Sequence, residues 1–142
     1  MSIENIEIKT TEDKFFLQYL TLKRPIINII LTKINHKPTF LHDIPMHVLA
    51  ELLWLNHKYD ILAEDEKWKK VFNKDSKGHI TKKLNMTDHK LNVYFYQLRK
   101  IKILNGRKIN RLFIVKALDH NLSFKFIFNG ENGKSVDKKD NT

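Results

Sequence analysis

The sequence contains no cysteine, which excludes disulfide bonds and metal sites built on thiolates. A chain without cysteine suits a reducing compartment, so we expect a cytoplasmic protein. Glycine and proline are also scarce, with four and three residues among 142. None of the glycines belongs to a GxGxxG or GxxxxGK[ST] pattern, so no glycine-rich phosphate loop is predicted.

Long apolar runs are missing as well. Every apolar segment is interrupted by Lys, His or Asn well short of the roughly 20 residues that cross a bilayer, so we expect no membrane partner. The seven histidines show no metal-ligand spacing such as HExxH. The carboxylates cluster mainly at predicted helix starts, where the helix dipole explains them. We therefore expect no catalysis, no cofactor and no metal site.

Positive charge is abundant and unevenly placed. The chain carries a net charge of +10, but residues 67–111 hold fourteen Lys or Arg against two acids, a local net charge of +12. The remaining positions hold 12 basic and 14 acidic residues, a net charge of −2. A basic block confined to one segment is typical of proteins that bind nucleic acid. The alternative is a solvated basic face with no partner.

The first third of the chain predicts helices. A helix should begin at residues 10–13 and end near Arg24, because Pro25 disfavours helical geometry in the residue before it. Residues 26–34 fit either a strand or a buried helix, and we favour the helix. Residues 1–9 alternate weakly and fit a short edge strand or a loose arm.

A central helix is predicted after a loop at residues 35–42. Asp43 is expected to cap it, with Pro45 in its first turn, and apolar residues from Val48 to Tyr59 surround most of its circumference. A further helix, EDEKWKKVF, should bury Trp68, Val71 and Phe72 and present an outer basic face of Lys67, Lys69, Lys70 and Lys74. Residues 73–78 are predicted to form a turn.

Residues 77–115 predict helix, turn, helix and then a β-ribbon. Ile80 and Leu84 give the first short helix a buried side, and Asn85-Met86 interrupts it. Thr87 is expected to cap a second helix whose buried face is formed by Leu91, Phe95 and Leu98. Asn105-Gly106 between apolar residues is a strong hairpin signal.

At these residues the chain resembles a winged helix-turn-helix domain. The pattern ITKKLNMT, HKLNVYFYQLRKIKIL and NGRKINRLFIV is similar to the second helix, recognition helix and wing of small bacterial and phage regulators and replication initiators. The likeness covers about a third of the chain. At the position after the recognition helix, where such domains usually have Gly, this chain has Lys102.

The resemblance implies a mainly α protein of the α+β kind. We expect a single winged-helix domain over residues 1–128, with an N-terminal helical extension at 10–42 and a core at 43–128. This core would contain the central helix, the helix-turn-helix and a C-terminal β-ribbon. A strand at 122–128 is expected, which could add to the ribbon or pack its phenylalanines on a partner. Residues 129–142 are rich in Gly, Asn, Lys and Asp and are predicted to be a disordered tail.

The function implied by the resemblance is binding of double-stranded DNA, as a transcriptional regulator or a replication initiator of a phage or plasmid. By analogy, the residues that face the bases are His89, Lys90, Asn92 and Val93. The residues that contact phosphates are Lys82, Lys83, Arg99, Lys100, Arg107, Lys108 and Arg111. The expected location is the cytoplasm, on the nucleoid, and a homodimer would suit paired half-sites.

An interaction module is the alternative function. Winged helices also bind proteins, and a phage structural, packaging or assembly protein in a virion can be small and basic. Tyr94 and Tyr96 could stack on DNA or bond a phosphate, but we favour a role in a core or an interface. An interaction module would expose these tyrosines together with Phe124, Phe126 and Phe128 as an apolar patch.

Overall fold

The computed structural model describes the backbone of residues 5–10, 12–114, 123–128 and 135–138, and the side chains of residues 14–114. The described chain is mainly helical, as predicted. Its helices are α1 (Glu12–Asn35), α2 (Asp43–Lys58), α3 (Glu64–Val71), α4 (Lys74–Leu84) and α5 (Asp88–Lys100). Its strands are β1 (Asn5–Thr10), β2 (Ser123–Phe128) and β3 (Ser135–Lys138).

Helix α1 continues through Pro25, so the predicted end near Arg24 is wrong. A proline inside a helix costs about 3 kcal/mol, because it lacks an N–H and its ring crowds the preceding turn. Here Thr21, whose carbonyl lacks that N–H, is exposed and accessible to water. Burial on both sides of the proline offsets the cost, since Leu20 before it and Ile27 after it are fully buried. The helical interpretation of residues 26–34 is confirmed.

The loop after α1 folds back along that helix. The backbone N–H of Thr39 donates to the Thr32 hydroxyl at 3.1 Å, and the N–H of Leu41 donates to the Asn28 side chain at 2.8 Å. Asp43 forms an ion pair with Arg24 and lies in the first turn of α2. The predicted cap at Asp43 is therefore wrong: the N-cap is His42, without a side-chain hydrogen bond, because the carboxylate is used by α1.

Helix α2 is the central helix, as predicted. It packs against α1, α3, α4 and α5. Its buried residues point in all directions around the axis and include Val48, Leu49, Leu52, Leu53 and Leu55, each at most 2% exposed. A helix that is apolar all round must be surrounded by others. Helix α2 therefore forms the core on which α4 and α5 are placed.

Helices α3 and α4 differ from the prediction in two places. Lys67 is not on an outer face, since it is buried, with its ammonium 3.5 Å from Glu64 and 4.7 Å from the Trp68 ring centroid. The predicted turn at residues 73–78 is also wrong, because α4 begins at Lys74. The Asn73 side chain accepts from the Ser76 N–H at 2.8 Å and caps the helix.

The chain turns sharply after α5. The N–H of Asn105 donates to the Lys108 carbonyl at 2.8 Å and the N–H of Lys108 to the Asn105 carbonyl at 3.2 Å, with Gly106 at φ +61°. A single bridge joins Leu104 to Ile109, and a 3₁₀ turn follows at Arg111–Phe113. The hairpin turn is present, but over the described residues it is shorter than the predicted ribbon. Leu104, Ile109 and Phe113 are buried, so this segment is part of the core.

The three strands form one sheet in the order β1, β2, β3. Strand β1 runs parallel to β2, and β2 runs antiparallel to β3. Strand β2 lies within the range 122–128 predicted as a strand. Strand β3 lies within the range 129–142 predicted to be disordered, and the rest of that range is outside the described residues. The division into 1–128 and a tail stays a prediction. Among the described helices, none has the length and apolar character needed to span a bilayer.

Candidate nucleic-acid interface

Helices α4 and α5 are joined by three residues, 85–87. Asn85 ends α4 in the left-handed conformation at φ 53°, and the Met86 N–H donates back to the Thr81 carbonyl at 2.9 Å. Asparagine tolerates this conformation better than most residues, which is why the helix ends there. Thr87 then caps α5, because its hydroxyl accepts from the Lys90 N–H at 3.1 Å. The cap and the break predicted from the sequence are confirmed.

Helix α5 has one buried face and one exposed face. Leu91, Phe95 and Leu98 are buried, as predicted, and Phe95 meets Phe72 with ring centroids 5.4 Å apart. Opposite this face lie positions spaced by four, three and four residues, which share one side of a helix. This outward face consists of His89, Val93, Tyr96 and Lys100, all of which are exposed.

The four residues expected to face bases are all exposed. His89 and Val93 lie on the outward face, while Asn92 and Lys90 lie on its two flanks. In the described part of the chain no ion pair involves any of them. The structure therefore brings them together on one accessible side of α5.

The four phosphate-contact candidates on α4 and α5 divide into two groups. Lys82, Arg99 and Lys100 are exposed, and no side-chain hydrogen bond or ion pair holds them within the described residues. Lys83 is different, because its ammonium lies 3.0 Å from the carboxylate of buried Glu51 on α2. The Nε2 of His79 lies 3.7 Å from the other oxygen of the same carboxylate. Lys83 therefore serves the contact between α4 and α2.

The three candidates after α5 lie beside α3 rather than beside the outward face of α5. Arg107 and Lys108 line a cleft whose other wall is α3. Arg111 lies close enough to Glu64 to affect its carboxyl group. The pKa of Glu64 is below its ordinary value, first because the Trp68 indole N–H donates to it, next because of the Lys67 charge, and to a smaller extent because of Arg111. The acidic first turn of α3 thus offsets part of the positive charge of Arg111.

The C-terminus of α5 is fixed by a Schellman motif. The N–H of Ile103 donates to the Leu98 carbonyl at 2.9 Å, and the N–H of Lys102 to the Arg99 carbonyl at 3.0 Å. Lys102 takes the left-handed position at φ 71°, where glycine is usual. Its ammonium donates to the Ile34 carbonyl at 3.2 Å, and the Asn35 side chain donates to the Ile101 carbonyl at 3.0 Å. The ends of α1 and α5 are therefore tied together.

Tyr96 is 60% exposed on the outward face of α5, which excludes the core role predicted for it, while the interface role stays a prediction. The signal was present in the sequence, since Tyr96 follows Val93 by three residues and His89 by seven. Tyr94 is half-buried and packs against the core. The side chains of Phe124, Phe126 and Phe128 lie outside the described residues. Within residues 14–114, no group of His, Cys, Asp and Glu is arranged to hold a metal ion.

Comparison with protein-family models, with curated proteins and with solved structures finds no match to this chain.

Proposed function

We propose that the chain binds double-stranded DNA through α5, as a transcriptional regulator or replication initiator of a phage or plasmid, in the cytoplasm on the nucleoid. The observation that carries the proposal is the outward face of α5. It presents His89, Val93, Tyr96 and Lys100 to solvent inside the segment with a net charge of +12. A helix whose exposed side is basic and lacks internal partners is suited to the negatively charged major groove.

The placement of α5 supports this reading. Helices α4 and α5 follow each other after a three-residue turn, and both pack on α2. In a winged helix-turn-helix this arrangement presents the second helix to the groove, with a wing beside it. We place base contacts at His89, Asn92 and Val93, because an asparagine amide can bond adenine and valine methyls fit the thymine methyl.

Four exposed cations are proposed to contact phosphates from α4 and α5. They are Lys82, Lys90, Arg99 and Lys100, whereas Lys83 is engaged by Glu51. Lys90, Arg99 and Lys100 extend along α5, which at about 1.5 Å per residue is roughly 20 Å long. That length lets them follow the backbone on both sides of one groove. Phosphate contacts of this kind set the register of the protein and carry no sequence information.

The test compares two lysines that are both exposed and lie on different helices. Lys100→Ala on α5 should lower affinity for any duplex and reduce the slope of log affinity against log salt by about 1. Lys14→Ala, at the start of α1, removes the same charge. The bond from the Asn35 side chain to the Ile101 carbonyl, which ties α1 to the end of α5, lies at the far end of α1 from Lys14, so binding should be unchanged. Fluorescence anisotropy of a labelled duplex measures both, and equal losses in the two variants would contradict the proposal.

Recognition of the DNA sequence by α5 is tested separately. His89→Ala combined with Asn92→Ala should abolish preference for the selected site and leave weak binding to random duplex, because base contacts carry the specificity. Loss of the same size on selected and random DNA would remove α5 from the role of recognition helix.

A second candidate function is favoured by the exposure of Tyr96. An exposed tyrosine beside an exposed valine, Val93, is common at protein interfaces, where aromatic residues are enriched. On this reading α5 would bind another protein, such as a structural, packaging or assembly protein of a phage virion, or a second copy of the chain. Tyr96→Ala would then abolish the protein contact and leave DNA affinity and its salt slope unchanged. Loss of DNA affinity in this variant would favour the DNA-binding function.

A further inference from the structure

A cleft of about 320 Å³ lies between α3 and the turn that follows α5. On the α3 side it is lined by Asp65, Lys69 and the aromatic pair Trp68 and Phe72. On the other side it is lined by Asn105, Arg107 and Lys108. None of these residues belongs to the outward face of α5, so the cleft is a separate site.

The charge of the cleft favours an anion. Three cations from two different elements, Lys69, Arg107 and Lys108, converge on a space that contains one carboxylate, Asp65. In the part of the chain that the structure describes, no ion pair joins any of the three to an acid. Arginine and lysine side chains gathered in this way, with the fork of an arginine among them, fit phosphate oxygens.

The floor of the cleft is aromatic and fixed. The Trp68 indole N–H donates to Glu64 at 2.9 Å, and the Lys67 ammonium lies 4.7 Å from the centre of the Trp68 ring. Phe72 is held between Trp68 and Phe95, with centroid distances of 6.5 and 5.4 Å. Both floor residues are only 4% exposed, so a ligand would touch their edges and would not displace them. The edges of these two rings give the cleft a small, fixed apolar contact beside three cations, which can touch the group that carries a phosphate.

The positions of two of the three cations, Arg107 and Lys108, depend on Gly106. This residue has φ +61° in the two-residue turn, a conformation that other residues adopt only with strain. The turn aims Arg107 and Lys108 toward α3. Asn105 and Asp65 add an amide and a carboxylate that can hydrogen-bond the polar edge of a base or a sugar hydroxyl. Small-ligand clefts span about 300 to 1,000 Å³, so this one has room for a single nucleotide.

We propose that this cleft binds a phosphate ester the size of one mononucleotide, with its phosphate held by Lys69, Arg107 and Lys108 and its flat group against Trp68 and Phe72. The phosphate ester can come from a free nucleotide or from one nucleotide of a DNA strand. This site goes beyond duplex binding by α5 and does not depend on it.

The experiment uses Trp68 as the reporter. The chain has two tryptophans, so Trp54→Phe leaves Trp68 as the sole indole. Thymidine 5′-monophosphate should give a saturable change in its fluorescence. Thymidine and inorganic phosphate, each lacking half of the ligand, should bind at least tenfold more weakly. Calorimetric titration of the unmodified chain with the same three probes gives the affinities without the substitution at Trp54.

A matched pair of variants assigns the site. Lys69→Gln removes a cation of the cleft and should weaken nucleotide binding by about tenfold, since a hydrogen bond to a charged group contributes at about this level. Lys70→Gln, the adjacent exposed residue of α3 outside the cleft, should leave it unchanged. The absence of a saturable response to the mononucleotide, or equal losses in the two variants, would overturn the proposal.

The source of the phosphate is resolved by competition. If a single-stranded oligothymidine displaces the mononucleotide, the cleft accepts a nucleotide of a DNA strand; if it does not, the ligand is free nucleotide. Both outcomes support the site. Lys100→Ala should leave mononucleotide binding intact, so failure of duplex binding by α5 and failure of the cleft are distinguishable.

Discussion

Helices α2 and α5 pack against each other but use their surfaces in opposite ways. The middle of helix α2, residues 48–53, is buried on all sides, and its one buried carboxylate, Glu51, is matched by Lys83 from α4. Helix α5 buries three residues and leaves the opposite side exposed and basic. Neighbouring helices cover the middle of α2, whereas no described residue covers the outward side of α5. The outward side of α5 is therefore the surface available to a partner.

The largest effect should come from a charge on the inner side of α5. Leu98 is fully buried, and Leu98→Asp would place an unpaired carboxylate in the core. We expect a loss of about 4 kcal/mol or more in the free energy of unfolding, enough to unfold the domain. Circular dichroism during a thermal melt measures this. The neighbouring exposed residue provides the control, since Gln97→Asp should shift stability by no more than about 0.5 kcal/mol. A normal melt for Leu98→Asp would show that the two sides of α5 are not distinct.

A smaller loss of stability is expected from removal of the buried carboxylate of Glu51 on α2. Glu51→Gln removes the carboxylate that Lys83 contacts at 3.0 Å, in a pair whose lysine is one-third exposed. Because solvent screens the exposed end, we expect a loss of only about 1–2 kcal/mol in the free energy of unfolding. The same change releases Lys83 from the carboxylate, so DNA affinity should rise slightly. Chemical denaturation and anisotropy on the same sample measure both, and a fall in DNA affinity with normal stability would contradict this account of Lys83.

The cap of α5 contributes less again. Thr87→Ala removes the hydroxyl that accepts from the Lys90 N–H, and about 1 kcal/mol of stability should be lost. Thr87→Ser keeps a hydroxyl and should recover most of it. Urea denaturation at constant m-value measures the difference. If the Ala and Ser variants proved equally stable, the cap would not be a source of stability.

The smallest effect is a pH dependence at α3. The Trp68 indole N–H and the Lys67 charge favour the ionised form of Glu64 and hold its pKa below the ordinary value of 4.5. A carboxyl group with a lowered pKa in the folded state stabilises that state above its ordinary pKa, and the stabilisation is lost as pH falls through the lowered pKa. In the Trp54→Phe variant, Trp68 emission should titrate below pH 4.5, and Glu64→Gln should remove that transition. A transition at or above pH 4.5 would contradict the hydrogen bond.

Local signals in the sequence predicted the cap and the buried face of α5 correctly. Thr87 as a cap and Leu91, Phe95 and Leu98 as the inner side depend on residues within one helix, so spacing was enough. From the sequence, Lys102 is only a departure from the glycine that usually follows a recognition helix. The structure shows that it takes the left-handed position anyway and uses its long side chain to reach Ile34. That contact joins two distant parts of the chain, and no local pattern indicates it.

The errors arose where a tertiary contact overrides a local preference. Pro25 looked like the end of a helix, but burial of residues on both sides keeps α1 continuous. Asp43 looked like a cap, but Arg24 takes its carboxylate. Lys83 and Arg111 looked equivalent to the other candidate phosphate contacts. Their surroundings differ because Glu51 and Glu64 lie near them in space and far from them in sequence.

The most direct test of the central claim is the salt dependence of duplex binding by the full chain. Fluorescence anisotropy on random A/T-rich duplex should be measured at about 50 and 200 mM salt. With four phosphate contacts from α4 and α5, affinity should fall by roughly a hundredfold over this range. No binding at the lower salt concentration, or binding that does not change between the two, would contradict the claim that the outward side of α5 binds DNA.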